Sequence, residues 1–250
     1  MTIPAYLPYF VFAGTAAAIV AILYGLHRSL VQAKWPPSDR ARTFRTSAVI
    51  LLGWLAVSVA LGALGVYHAE STEIPTIQYS ILLPIVIGAL LIWRSETAKS
   101  VIAAVPQPWL VGVQLYRALG VIFLILYATG KLPSLFAWPA GIGDIAIGLL
   151  APIVGLAYAR APRNTAGLVA AWNVFGILDL MIAVGTGFLT APSLLVPFET
   201  QPTSELMTVL PMVMIPVYLV PLSIVLHLAS LAKLRRGAVA GNGFGRAVAA

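Results

Sequence analysis

Three ionisable residues stand where the sequence is otherwise almost wholly apolar: Arg117, Asp144 and Asp179. Each lies inside a stretch of apolar residues long enough to cross a lipid bilayer. A charged side chain at the centre of such a helix costs about 2.5–3.5 kcal/mol on insertion scales. A cation and two acids at that depth need one another, and they are the chemical equipment for binding a small solute or passing a proton. Arg117 recurs on one helical stripe with Gln114 and Gly120, and Asp179 shares a stripe with Trp172 and Gly176, with Asn173 beside it. Asp144 follows Gly141 by three, and Gly141, Gly148 and Gly155 repeat at seven-residue intervals. Small residues let helices approach closely in lipid, so this spacing predicts that Asp144 faces a neighbouring helix.

Depth along the helices sorts the three. At 1.5 Å per residue, Arg117 lies about 12 Å from the cytoplasmic end of its span, Asn173 about 10 Å and Asp179 about 20 Å. Asp144 lies only about 8 Å below the outer surface. The expected pair is therefore Arg117 with Asp179, supported by Gln114 and Asn173. Asp144 is left without a partner, either as a carboxylate able to load and lose a proton or as a local cap near a helix start. The same Arg–Asp pair could equally serve only to fix helix register.

The elements that must position these groups follow from composition. The chain has 250 residues, 60% of them hydrophobic and 9% charged, against about 25% charged in soluble domains. Mean hydropathy is +0.95. A soluble fold has nowhere to hide that much apolar surface. Seven stretches have the length to span about 30 Å of hydrocarbon: residues 7–27, 47–67, 77–93, 109–129, 139–159, 166–189 and 206–231. The expectation is an all-α membrane protein, a seven-helix transmembrane bundle over residues 1–236, with a disordered cytoplasmic tail over 237–250. The N-terminal MTIPAYLPYF has no basic region of a cleavable signal peptide, so the first stretch reads as a retained span.

Charge sets the orientation. Arg28, Lys34, Arg40, Arg42 and Arg45 follow the first span, Arg94 and Lys99 the third, Arg160 and Arg163 the fifth, and Lys233, Arg235, Arg236 and Arg246 the last. The alternate loops carry Glu70, Glu73, Glu199 and Glu205 with only Lys131. Lysine and arginine are retained inside, which places the N-terminus outside and the C-terminus in the cytoplasm. The net charge of +7 is that same bias, and no nucleic-acid partner is expected.

Other chemistries find little support. The chain has no cysteine, which excludes disulfides and thiolate metal sites. No cofactor or metal is expected, and nothing in the spacing of the serines argues for an enzyme. His27 and His227 both fall near cytoplasmic span ends and give the one cofactor alternative, axial ligands of a b-type haem. The last span has no lysine for a retinal Schiff base. It does carry Pro211, Pro216 and Pro221, each of which removes a backbone donor. Broken helices are frequent at transporter sites.

The segments QLYRALG, GKLPSLFAWPAGIGD, WNVFGILDL and LPMVMIPVYLVPLSIVLHL resemble a group of uncharacterised bacterial multi-pass inner-membrane proteins. The resemblance covers about the second half of the chain and implies an inner-membrane location; with the orientation set by charge, the N-terminus is then expected to be periplasmic. It carries no activity, ligand or catalytic residue. The functional expectation is a small transporter or channel-like protein for a small solute or protons. The alternative is a non-transport scaffold, assembly factor or sensor whose working surface is the basic segment 28–46. The lipid bilayer is the expected partner in either case; the sequence does not set the oligomeric state.

Overall fold

The computed structural model describes residues 4–68, 76–192 and 201–248. Glu70, Glu73 and Glu199 lie outside the described residues. The described chain is all helical, and seven of its helices are long and apolar enough to cross a membrane. They are α1 (Leu7–Gln32), α2 (Pro37–Ala63), α3 (Ile77–Arg94), α5 (Gln107–Ala128), α6 (Ser134–Arg160), α7 (Pro162–Leu189) and α8, whose apolar part is Ile215–Gly237. A short α4 (Glu96–Ala104) links α3 to α5. It begins at Ser95, whose hydroxyl accepts from the Ala98 amide at 3.2 Å, satisfying one of the orphan donors of a helix start. In its first turn, the hydrogen bond from Lys99 holds the Glu96 carboxyl below its ordinary pKa.

Proline marks where helices begin. Pro37, Pro108 and Pro162 occupy first turns, where the missing N–H has no helical acceptor to lose. This corrects the predicted second span, 47–67. The helix starts ten residues sooner, at Pro37, with Asp39 in its first turn. The basic segment after α1 is thus mostly the early turns of α2, entered through Lys34 at a left-handed φ of 55°.

The last predicted span, 206–231, is corrected more deeply. Residues 205–208 form a 3₁₀ turn. Helix resumes only at Ile215, first as a π-helical turn through Leu219 and then as α-helix from Val220 to Val248. Pro211 and Pro216 lie in this broken section, and Pro221 sits at the start of the regular helix. Irregular backbone at membrane depth is tolerated where protein surrounds it. Here Leu206, Met212, Val213 and Met214 are all fully buried. Helical backbone runs on to Val248, across the stretch beyond 237 where the sequence leads one to expect disorder.

The core is built from the later helices. α6 packs against both α5 and α7, and α8 packs against α3 and α7. α1 packs on α2 and on the middle of α5. α2 is peripheral, with Ser58 its one buried residue. Large apolar side chains cover the outside, among them Val49, Leu83, Ile153 and Phe175.

Candidate functional site

Arg117 is the hub. It lies in α5 where the helix tightens to 3₁₀ geometry over Val113–Gly120, an eight-residue run where three or four is usual. Its side chain is 2% exposed. The Nε–H donates to Asp144 Oδ1 at 2.7 Å. An Nη2–H donates to Asp179 Oδ2. Nη1 donates to the Gly176 carbonyl at 3.1 Å and to His227 Nε2 at 3.2 Å. Four of the five guanidinium N–H groups thus have partners from α6, α7 and α8.

The expected Arg117–Asp179 pair is present, and Asp144, expected to stand apart, is bound to the same guanidinium. Two features close the gap in depth. α6 begins at Ser134, five residues before the predicted start at 139, so Asp144 lies about 15 Å into its helix rather than about 8 Å; the 3₁₀ rise of about 2.0 Å per residue over Val113–Arg117 adds about 2 Å more. Glycines then remove the steric distance. A Cβ on Gly120 would overlap Asp144, one on Gly143 would overlap the Asp179 carboxylate, and one on Gly176 would overlap His227. The stripe of Gly141, Gly148 and Gly155 lies against α5, with Gly148 and Gly155 directly on its backbone.

His227 is the residue that sequence reasoning misplaced. It is fully buried, not at a solvated helix end. Arginine has no acceptor, so His227 Nε2 must accept and the proton must sit on Nδ1. The other side agrees: His227 Nδ1 is 2.9 Å from Asn173 Oδ1. The Asn173 amide nitrogen is itself committed as donor to the Val169 carbonyl at 2.7 Å and to Ser230 Oγ at 2.8 Å. The imidazole is therefore a neutral, oriented acceptor for Arg117. The haem alternative needs His27 and His227 facing one another with a free nitrogen each; both His227 nitrogens are engaged in hydrogen bonds, while His27 packs edge-on against Phe44, ring centroids 5.7 Å apart. The signal for His227 was available as Ser223, His227 and Ser230, which fall on one face of a helix at i, i+4 and i+7.

Of the other expected residues, Trp172 is buried with its ring 5.0 Å from that of His227. Asn173 supports Arg117 through His227 rather than directly. Gln114 does not reach Arg117; its amide donates to the Ser223 carbonyl at 3.0 Å, near where Tyr116 and Ser223 share a hydroxyl–hydroxyl bond. From His227 the polar contacts continue through Asn173 and Ser230 to Gln107, whose amide donates to Ser230 Oγ at 2.6 Å. Gln107 begins α5 at the basic end of the bundle. Among the described residues no group of three His, Cys, Asp or Glu is placed to hold a metal.

Two cavities meet at Asp144. The larger, about 80 Å³, runs from Ala191 and Glu205 at the acidic end down to Asp144, with Ile215 and Pro216 of the π-helical turn in its wall. The smaller, about 40 Å³, is lined by Arg117, Tyr116 and Ser223 and, on α1, by Phe10, Val11 and Gly14. Phe123, Leu180, Ile215 and Val220 line both.

Residues 74–235 match a family described as a domain of unknown function, DUF8737. The chain belongs to the DUF8737 family. The match runs from the start of α3 into α8 and contains every residue of the Arg117 cluster; α1 and α2 precede it. Among curated proteins and among solved structures nothing matches the chain.

His227→Leu removes the acceptor for Arg117 Nη1 and the donor for Asn173 Oδ1. Each buried group left unpaired costs about 1–3 kcal/mol, so a drop of several kcal/mol in unfolding free energy is expected in detergent. His227→Gln, whose side chain can accept and donate, is expected to recover part of it. Equal melting temperatures for wild type and His227→Leu would contradict this account of the network.

Proposed function

We propose that this DUF8737 protein is a small carrier or channel-like protein of the bacterial inner membrane, moving a small solute or protons through the Arg117–Asp144–Asp179 site. In this reading the seven apolar helices cross the bilayer with the N-terminus periplasmic and the C-terminus cytoplasmic. Two features support the placement: the apolar outer surface, and the segregation of basic residues to alternate loops.

The observation that carries the reading is the larger cavity, which joins the acidic end of the bundle to Asp144, a direct partner of buried Arg117. Charge balance adds to it. Two carboxylates and one guanidinium leave one negative charge over when all are ionised, and an unpaired charge in a low-dielectric interior is expensive. A proton or a cation on the cluster removes that cost, and exchanging the two is transport chemistry. The broken start of α8 lines the cavity, as in carriers whose sites are built on interrupted helices. On the basic side, the polar contacts from Arg117 to Gln107 mark the direction in which a path would have to open.

The scaffold or sensor reading has one observation of its own. A groove of about 740 Å³ between α1 and α2 is lined by His27, Arg40 and Arg45, a basic surface at the expected cytoplasmic face.

Flux decides between them. Proteoliposomes loaded with a pH-sensitive dye are expected to show protein-dependent proton movement under an imposed gradient. Asp144→Asn and Asp179→Asn are each expected to abolish it while still eluting as monodisperse protein. Wild-type flux equal to that of empty liposomes, or unchanged flux in both variants, would remove the carrier reading.

A further inference from the structure

We propose that the cavity above Asp144 binds a small lipophilic monocation, a short alkylammonium ion, in exchange for a proton. This deepens the carrier reading and rests on it for transport, though not for binding.

The walls choose the ligand class. Phe123, Phe136, Phe188 and Tyr67 present aromatic surface, and Ile81 and Leu180 aliphatic surface. The hydroxyls in the wall are already committed. Ser204 Oγ donates to the Gly187 carbonyl at 2.7 Å, Thr208 Oγ1 to the Glu205 carbonyl at 2.8 Å, and Tyr67 donates to Ser80 at 3.1 Å. That leaves two carboxylates: Asp144 at the base and Glu205 at the mouth, the latter 3.7 Å from His68. No lysine or arginine lines the cavity among the described residues. Arg117 stands behind Asp144 with four of its five donors engaged.

Each competing class then meets a physical objection. An anion would face a carboxylate across apolar walls. A sugar would lose its hydration and find no free donors. A hard divalent cation wants six or more oxygen ligands, and the cavity floor offers one carboxylate. An ammonium ion with an apolar body satisfies every surface: its charge meets Asp144, its body fills the apolar space, and aromatic faces attract its charge. The volume of about 80 Å³ has room for about six waters at 10–15 Å³ each, which limits the body to a few heavy atoms. A negative group at the mouth, Glu205, raises the local concentration of cations.

The exchange balances. With Asp144 protonated, the guanidinium and the Asp179 carboxylate cancel. When an ammonium ion enters, the Asp144 O–H bond breaks, its electron pair stays on the carboxylate, and one proton leaves for solvent. The cluster is neutral before and after, with one proton released per cation bound.

Calorimetric titration of the purified protein with butylammonium, butyrate and butanol tests this, run in two buffers of different ionisation enthalpy to count protons. Butylammonium is expected to bind with close to one proton released; butyrate and butanol are expected not to bind. Asp144→Asn is expected to weaken the ammonium by about tenfold or more, the loss of one charge-assisted contact. Ala191→Phe, which narrows the cavity at its acidic end, twelve residues beyond Asp179, is expected to block it and serves if Asp144→Asn does not fold. Binding of butanol as tight as that of butylammonium, or ammonium binding with no proton released, overturns the proposal. Proton flux in proteoliposomes with no ammonium binding also overturns it and leaves the carrier standing. Ammonium binding with proton release but no flux keeps the site and removes the carrier.

Discussion

Replacing Arg117 with methionine is expected to destabilise the protein by about 3–5 kcal/mol, the usual cost of removing one partner from a buried ion pair. The loss arises from what is left behind. Asp144 and Asp179, with side chains only 14% and 16% exposed, would face each other's charge with no cation between them. His227 and the Gly176 carbonyl would lose their donor as well. Much of this penalty is charge rather than shape, so it can be relieved. The triple variant Arg117→Met, Asp144→Asn, Asp179→Asn is expected to regain most of the lost stability and, on the proposed carrier function, to transport nothing. Thermal unfolding in detergent measures the first effect and proteoliposome flux the second. A methionine variant as stable as wild type would show that the guanidinium does not hold the three helices together. A triple variant no more stable than the single one would show that packing, not charge, is what Arg117 supplies.

Gly148→Ala is expected to destabilise by about 1–3 kcal/mol, the range for forcing extra atoms into a packed interior. The added Cβ would overlap the backbone of Ala118 and the Arg117 carbonyl carbon. A flexible side chain could swing aside, but backbone cannot, so α6 would have to move off α5 and carry Asp144 away from Arg117. Gly167 is the control. It lies in α7 with nothing within 4 Å of its would-be Cβ, and Gly167→Ala is expected to stabilise by about 0.5–1 kcal/mol through helix propensity alone. Opposite signs for the two glycine-to-alanine changes in paired unfolding measurements are the expected result. The same sign for both would mean that the α5–α6 contact is looser than described.

These two predictions show why some of the site could be read from the sequence and some could not. Arg117 and Asp179 stood out because burying charge is costly enough to demand a partner, and helical spacing put each on a packing face. The glycine stripe of α6 was readable for a related reason: close backbone approach leaves a periodic trace. Asp144 was assigned to the wrong company because hydropathy started its span at 139, whereas the helix begins at Ser134 and buries Asp144 more than a turn deeper. His227 was passed over because a histidine near a span end is ordinary. Only the folded chain shows Asn173 and Arg117 closing on its two nitrogens.

The sequence by itself determined the number of long apolar helices, the separation of basic from acidic loops, and the presence of a cation and two acids among them. Those are properties of hydropathy and charge, which act residue by residue. The tertiary structure decided which helices touch, that one guanidinium serves both carboxylates, that the last helix begins only at Ile215, and that a cavity ends on Asp144. Those depend on distances between residues far apart in the chain. Apolar periodicity cannot specify them, because in a chain this hydrophobic nearly every helix face is apolar.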